Sequence, residues 1–468
     1  MNNLKNEIKN DLENKLDIDL NFDTPKLQPN KKSHKLAITL TCLAILTPLV
    51  ILSIPFLSMI DFKPKSSLIK RNFTINEKQV MESTSFKKLN EINYPSLETK
   101  NLSISDDFKE AINNFSNEMY RKSFKEDNYS FSPMSLYYLM NNISLSSTKE
   151  EINNEFNNLL KLDKNKRKED LIKTYKNNYF CNEQGTIQMY NSVFLSNDFQ
   201  YNEEYINLLK DYYIEAYQLS FKNDQDKIIE WIDNKINQKD FMKKEELEID
   251  DNDTVIYFIN TLYFNNRWYH IFNDENNYID TFYSNNSNEK VTYMNHSYIG
   301  EINEQDKFYE VTDYYKNNIK IKYYISKNDE DIFSLTKDIN LFNLDQTTKK
   351  EAYINLSLPK FSNNYSLDFT EILKEMMPNT FDENANSLNN IFNDENLGVY
   401  LQLVKQKNEI TFSEDGTMIK SVSYGAAGNI AESTLDGYNI QLNKPFIYII
   451  YDVNDVPIYV GNMVNPNE

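Results

Sequence analysis

"TVIYFINTLYFNNRWYHIF", residues 254–272, is the most telling stretch of this chain. From Thr254 to Phe264 it is built of Val, Ile, Leu, Phe and Tyr, with Asn260 and Thr261 between them. That composition is too β-branched and aromatic for a surface helix, and it reads as a buried strand. Downstream, "PFIYIIYD" (445–452) and "PIYVGNMV" (457–464) read as two further strands joined by the short "VNDV" turn. Upstream the period changes. Phe108, Ala111, Ile112, Phe115 and Met119 recur at helical spacing behind Ser105, a candidate N-cap. Ser132-Pro133 sets a cap followed by proline at the first helical position, opening a second helix, "PMSLYYLMNNISL". Helices come early, strands dominate late, and no βαβ alternation or internal repeat is visible. The pattern is α+β.

The bulk numbers exclude several functions. Fifty Lys and Arg against 70 Asp and Glu give a formal charge of −20, the opposite of what a nucleic-acid groove needs. The bland reading of that charge is a solvated, self-repelling surface. Two cysteines occur, Cys42 and Cys181, and Cys42 lies in an apolar segment, so the globular part has one thiol and no internal disulfide. A lone Cys of this kind is more often a small buried hydrophobe than a nucleophile. The three histidines, His34, His270 and His296, form no HExxH pattern, and neither CxxC nor GxSxG occurs. No metal, cofactor or catalytic set is expected, and the chain does not read as an enzyme.

Leu36 to Ile60, "LAITLTCLAILTPLVILSIPFLSMI", runs 25 residues without a charge. At about 1.5 Å per residue such a helix crosses a hydrocarbon core of about 30 Å, and membrane helices tolerate kinks of the kind Pro48 and Pro55 impose. The run is too long, and too far from the start, for a cleaved signal peptide; a buried core helix is the alternative. It is read as an uncleaved signal anchor. Lys31, Lys32 and Lys35 precede it, and Lys63, Lys65, Lys70 and Arg71 follow, so the flanking charge is nearly balanced. Long C-terminal domains translocate largely regardless of such charges. The expectation is a disordered cytoplasmic tail (1–35), a single membrane span (36–60), a linker (61–102) and an extracellular domain (103–468).

One stretch of that domain is unlike the rest. "SEDGTMIKSVSYGAAGNIAESTLDGYN" (413–439) holds Gly416, Gly425, Gly428 and Gly437, four of the chain's 8 glycines, with Ala426, Ala427 and Ala431 among them. Segment 425–431 is flexible and uncrowded, suited to entering a cleft in extended form. A merely disordered surface loop is the competing reading.

From about Ser103 to Glu468 the chain resembles a serpin. "FSPMS" (131–135) is similar to the start of the family's second helix, and "IIEWI" (228–232) to its I-N-x-W-V motif, with Ile229 in place of Asn and Trp231 in register. "NTLYFNNRWYHIF" (260–272) resembles N-A-x-Y-F-K-G-x-W-x-x-x-F through Asn260, Tyr263, Phe264, Trp268 and Phe272. "LPKF" (358–361), "SEDGT" (413–417) and "NKPFIYII" through "VGNMVNP" (443–466) complete the series in the family's order. The resemblance implies early helices packed on a large mixed sheet and an exposed reactive loop at about 417–440. It makes Glu414, Asp415, Gly416 and Thr417 the hinge, after which the loop enters the main sheet once a protease has cut it.

Alternation then puts Thr417, Ile419, Ser421 and Ser423 inward, with Met418, Lys420, Val422 and Tyr424 outward. The family's inhibitors carry alanines just past the hinge threonine; here the run is "MIKSV", and Ile419 risks overpacking at about 1–3 kcal/mol. Counting from Glu414 places the cut bond at Ile430–Ala431; counting back from "NKPF" places it nearer Thr434–Leu435. No Lys or Arg occurs in 421–443, which disfavours a trypsin-like target and points to an elastase- or subtilisin-like protease, with Glu432 leaving a glutamate-specific enzyme open. The implied function is suicide inhibition of a serine or cysteine protease by a monomeric, anchored protein. The alternative is a non-inhibitory binding or interaction protein on the same scaffold.

Overall fold

The computed structural model describes residues 85–250, 253–284, 288–394, 397–417 and 435–467. The apolar run 36–60 and the tail before it lie outside these, and no helix among the described residues is long and apolar enough to cross a membrane.

Helices lead. α1 (Asp106–Ser123) starts where the Ser105 side chain accepts from the Phe108 N–H, and it buries Phe108, Ala111, Ile112, Phe115 and Met119. α2 (Pro133–Ser144) follows the Ser132 cap, and of its residues only Leu139 is not buried. α3 (Glu150–Leu159), α4 (Lys164–Asn177), α5 (Glu203–Lys210) and α6 (Gln225–Ile236) follow, with the short α7 (Ile332–Thr336) and α8 (Thr370–Met376) later.

Two mixed sheets carry the fold. The first has the order β1 (Lys87–Lys88), β5 (Ile214–Leu219), β4 (Gly185–Ser196), β6 (Ile256–Arg267), β14 (Gly416–Thr417), β13 (Lys405–Ser413) and β12 (Phe361–Asp368), with β3 (Phe180–Asn182) also paired to β4. The second has the order β15 (Gly437–Gln441), β11 (Lys349–Pro359), β8 (Asn288–Glu304), β9 (Phe308–Tyr314), β10 (Lys320–Ser326), β16 (Phe446–Tyr451), β17 (Pro457–Met463) and β2 (Tyr129–Phe131), with β7 (Tyr278–Tyr283) on β8. The stretch read as a buried strand is β6, and the C-terminal pair is the β16–β17 hairpin, whose strand residues are all buried. α2 packs against both β6 and β17, which explains why almost none of it meets solvent. The α+β expectation holds.

The boundary between linker and domain is corrected. Residues 85–102, read as tether because they lack periodicity, are seated on the fold. β1 pairs antiparallel with β5, and the Asn90 side chain extends that ladder, donating to the Ile214 carbonyl (3.0 Å) and accepting from the Ala216 N–H (2.9 Å). Phe86 stacks on Tyr217, Tyr94 stacks on Tyr179, and the Cys181 N–H donates to the Leu97 carbonyl. An arm whose contacts are made one residue at a time leaves no repeating pattern in sequence. Below it lies a buried charge cluster: Glu215 accepts from Lys235 (3.1 Å), from the Trp231 indole (2.8 Å) and from the Tyr217 hydroxyl (3.0 Å). Burial alone would raise the Glu215 pKa, but Lys235 and its other donors outweigh burial and hold the carboxyl below its usual range.

Candidate functional site

Among the described residues the first sheet is open in its middle. β6 pairs with β4 from Gly185↔Asn266 to Leu195↔Ile256, and β13 pairs with β12 from Phe361↔Phe412 to Asp368↔Lys405. On their facing sides both strands meet only the two residues of β14, at Gly416↔Arg267 and Thr417↔Asn266 on β6 and at Ser413↔Gly416 and Phe412↔Thr417 on β13. Below Thr417, no described strand lies between β6 and β13. Cavities follow one another down this slot. One of ≈ 60 Å³ is lined by Leu262, Phe264, Ile410, Thr417 and Tyr459. The next, ≈ 110 Å³, is lined by Ser135, Asn260, Gln406 and Asn408, and the lowest, ≈ 260 Å³, by Ile143, Ile256, Phe258 and Val404. The slot floor is polar at mid-height: the Oδ1 of Asn260 and the Oγ of Ser135 are buried without a hydrogen-bond partner.

The top of the slot is held shut by aromatic packing and hydrogen bonds. Trp268 is fully buried, stacks on Tyr315 at 4.3 Å, and donates its indole N–H to the Ser413 carbonyl at 2.8 Å. The Tyr315 hydroxyl lies 2.5 Å from the Thr417 Oγ1, so the hinge threonine points into the core and is 2% exposed. Gly416, at φ +156°, runs so close to β6 that a Cβ there would sit 2.0 Å from the Asn266 carbonyl oxygen. No other residue fits without moving the strand. Glu414 pairs with Lys360 and accepts from the Asn277 amide at 2.5 Å. Burial opposes its ionisation, but these donors outweigh that and hold the carboxyl below its usual range. The Asp415 carboxyl is pushed up, chiefly by burial, with Arg267 opposing.

Of the residues named from sequence, Glu414, Asp415, Gly416 and Thr417 therefore lie together at the top of the slot, and Leu435 lies just before β15. Ile419, Ile430, Ala431 and Thr434 fall in 418–434, outside the described residues. Sequence reasoning gave no role to Tyr315, Lys360 or Asn277, which grip the hinge. They come from segments remote in sequence; Lys360 lies in the "LPKF" motif, and nothing local marks Tyr315 or Asn277. The two domain histidines also meet: His296 places Nδ1 2.9 Å from the His270 carbonyl and Nε2 3.1 Å from the buried Asp313 carboxylate, stacked on Phe272 at 3.9 Å. They brace the segment that carries Trp268. Among the described residues no group of His, Cys, Asp and Glu is placed to hold a metal ion.

Comparison with known proteins agrees with this architecture. The family described as "Serpin (serine protease inhibitor)" matches residues 110–466. Mouse neuroserpin is 25% identical over 388 residues, covering 76% of this chain and 91% of that protein. A serine protease inhibitor from Cyanea capillata is 24% identical over 304 residues, covering 61% of this chain and 78% of its own length. The native-state crystal structure of tengpin, a thermophilic serpin, superimposes with a TM-score of 0.68 at 21% identity, covering 80% of this chain and 97% of that one. The chain belongs to the serpin family.

Proposed function

We propose that this chain is a suicide inhibitor of an extracellular serine or cysteine protease, anchored in the cell membrane through residues 36–60 and acting as a monomer. One observation carries the reading: a strand, β14, is begun at the top of the slot and the sheet has an opening below it. Continued in the same register, the chain brings Ile419 beside Phe264 and Ile410, Ser421 beside Leu262 and Asn408, and Ser423 beside Asn260 and Gln406. Ile419 then meets the ≈ 60 Å³ cavity on the side lined by Leu262, Phe264 and Ile410, and Ser423 meets the unpartnered Asn260 Oδ1. On the outer face Lys420 comes beside Glu409, an opposite-charge cross-strand pair.

The chemistry is the protease's own. Its nucleophile attacks the carbonyl of Ile430 (in the second register, Thr434), the amine of Ala431 (or Leu435) leaves, and an acyl-enzyme forms. The freed end of the loop then fills the slot, and the tethered protease is carried off with it before water reaches the ester. The inhibitor supplies stored strain and no catalytic group. The absence of Lys and Arg from 421–443 suits an elastase- or subtilisin-like enzyme. A non-inhibitory binding role on the same scaffold rests on Ile419 and the "MIKSV" run, where inhibitors carry alanines.

The test is thermal. The full chain, nicked within 418–434 by subtilisin, is expected to unfold tens of degrees above the uncut chain, and a panel of elastase- and subtilisin-like proteases should give covalent complexes that survive denaturing gels. Unfolding at the same temperature before and after the nick would favour the binding role.

A further inference from the structure

The lower half of the slot is bridged. After α6 the chain runs through Asn237–Asp250 across the opening, placing Phe241 and Met242 in the cavity walls. It is tied to β6 on one side, where the buried Leu247 accepts from the Tyr257 hydroxyl through its carbonyl at 3.0 Å. On the other side it is tied to three alternate, outward residues of β13. Lys405 pairs with Glu248 (2.5 Å), Lys407 with Glu246 (2.8 Å), and the Gln238 amide donates to Glu409 (3.0 Å). Lys407 also lies 5.5 Å over the Phe241 ring, and Lys405 reaches Asp368 at 3.5 Å.

This crossing is conformationally costly. Asn237, Asp240 and Glu248 all hold left-handed backbone, at φ 53°, 58° and 52°; among non-glycine residues Asn and Asp adopt that region most readily, so the strain falls chiefly on Glu248. Such outliers persist where the surroundings over-determine them: Asn237 and Asp240 are held by N–H donation to the Asp233 carbonyl and carboxylate at the end of α6, and Glu248 by its pair with Lys405 on β13.

We propose that Asn237–Asp250 is an electrostatic latch that sets how fast the slot opens to admit a strand. The proposal rests on the insertion reading above. The segment lies over the opening between β13 and β6, so a strand that fills the lower half requires the Lys405–Glu248 and Lys407–Glu246 pairs to release first. These pairs are partly exposed, so salt screens them. The stacking of Trp268 on Tyr315 at the top of the slot has no such sensitivity, and the Lys360–Glu414 pair beside it is the same in parent and variant.

The experiment compares the full chain with Lys405→Gln/Lys407→Gln, both nicked by subtilisin, and follows the rate at which the heat-resistant form appears. At low salt the variant is expected to convert about five- to tenfold faster, the equivalent of about 1–1.4 kcal/mol of lost latch. Raising NaCl to about 0.5 M, where the Debye length falls to about 4 Å, is expected to speed the parent chain and leave the variant nearly unchanged. The charge swap Lys407→Glu with Glu246→Lys is expected to restore the slow rate, which a merely structural lysine would not do. Equal rates in parent and variant, with full conversion of both, overturn the latch and leave the insertion reading standing. Failure of either chain to gain heat resistance overturns the insertion reading, and the latch with it.

Discussion

β4 and β6 are neighbours in one sheet, paired to each other along nearly their whole length, and they differ in how they are buried. Every residue of β4 is buried, while Ile256, Tyr257, Phe258, Asn260 and Leu262 of β6 are only partly so. β4 has β5 on one side and β6 on the other. β6 has β4 on one side and, on the other, two residues of β14 followed by a line of cavities. Sheets usually leave their outer edges bare and fill the middle. This one is sealed at the β5 edge by the arm 85–102 and left incomplete in the middle. On the insertion reading, the difference teaches where energy is released when the loop enters. Backbone hydrogen bonds at roughly 0.5–1.5 kcal/mol each, together with the apolar surface of β6, are available to whatever strand fills the slot.

The strongest way to break the comparison is to block the slot at its first position. Thr417 is buried against Tyr315, so Thr417→Arg would bring an unpaired guanidinium into the core or hold the strand out. The nicked variant is expected to lose the whole gain in unfolding temperature, and covalent complex with protease should fall by a factor of about ten or more, with the chain cleaved as a substrate instead. Undiminished complex formation would show that the slot below β14 is not where the loop goes.

Next in size is the sealed edge. Glu215 and Lys235 are 1% and 3% exposed, and Lys235→Met leaves a buried carboxylate without its nearest cation. A loss of about 3–5 kcal/mol is expected in the uncut chain, read by denaturant titration. The same loss should appear in the nicked chain, because the arm and its charge cluster lie outside the slot. A loss confined to one form would mean that the edge and the middle of the sheet are coupled.

Much of this organisation was legible in the sequence because it is local. The Ser105 and Ser132 caps, the helical stripe from Phe108 to Met119 and the β-branched run of β6 each announce themselves within a few residues. The slot does not. It is a missing neighbour between strands nearly 140 residues apart, and a strand with one vacant side is spelled like a strand with none. The arm was misread for the opposite reason: Phe86, Asn90 and Tyr94 each make a strong contact, with no period to join them. Glu414 to Thr417 stood out through resemblance and not through pattern, and the grip of Trp268, Tyr315 and Lys360 on Ser413–Thr417 required the fold.

A pH test sharpens the same contrast from the tightly packed β16–β17 hairpin. Asp452 turns that hairpin, accepting from the Asn454 and Val456 N–H groups and from the Asn178 amide. Burial nevertheless dominates and pushes its pKa up to about 6. The folded chain therefore keeps a proton that the unfolded chain gives up near the ordinary carboxylate value. Stability from this group is fully present in acid and is lost as pH rises through about 6, at most about 3 kcal/mol. Asp452→Asn should flatten the difference between pH 5 and 7, equally in uncut and nicked chain. An unchanged pH dependence would place the titration elsewhere.

The smallest effect is the most discriminating. Ile419 stands where inhibitors of this family carry alanine, and two outcomes are physically possible. If the side chain overfills the slot, trimming it relieves strain and the nicked form becomes more stable. The ≈ 60 Å³ cavity argues the other way, since it lies at the level the register assigns to residue 419 and three of the side chains lining it there, Leu262, Phe264 and Ile410, are apolar. Ile419→Val is therefore expected to cost the nicked form about 1 kcal/mol, the usual result of removing one buried methylene, and to leave the uncut form unchanged. A gain in the nicked form would reinstate overpacking and slow insertion. A change in the uncut form would mean that Ile419 is already packed before any protease arrives.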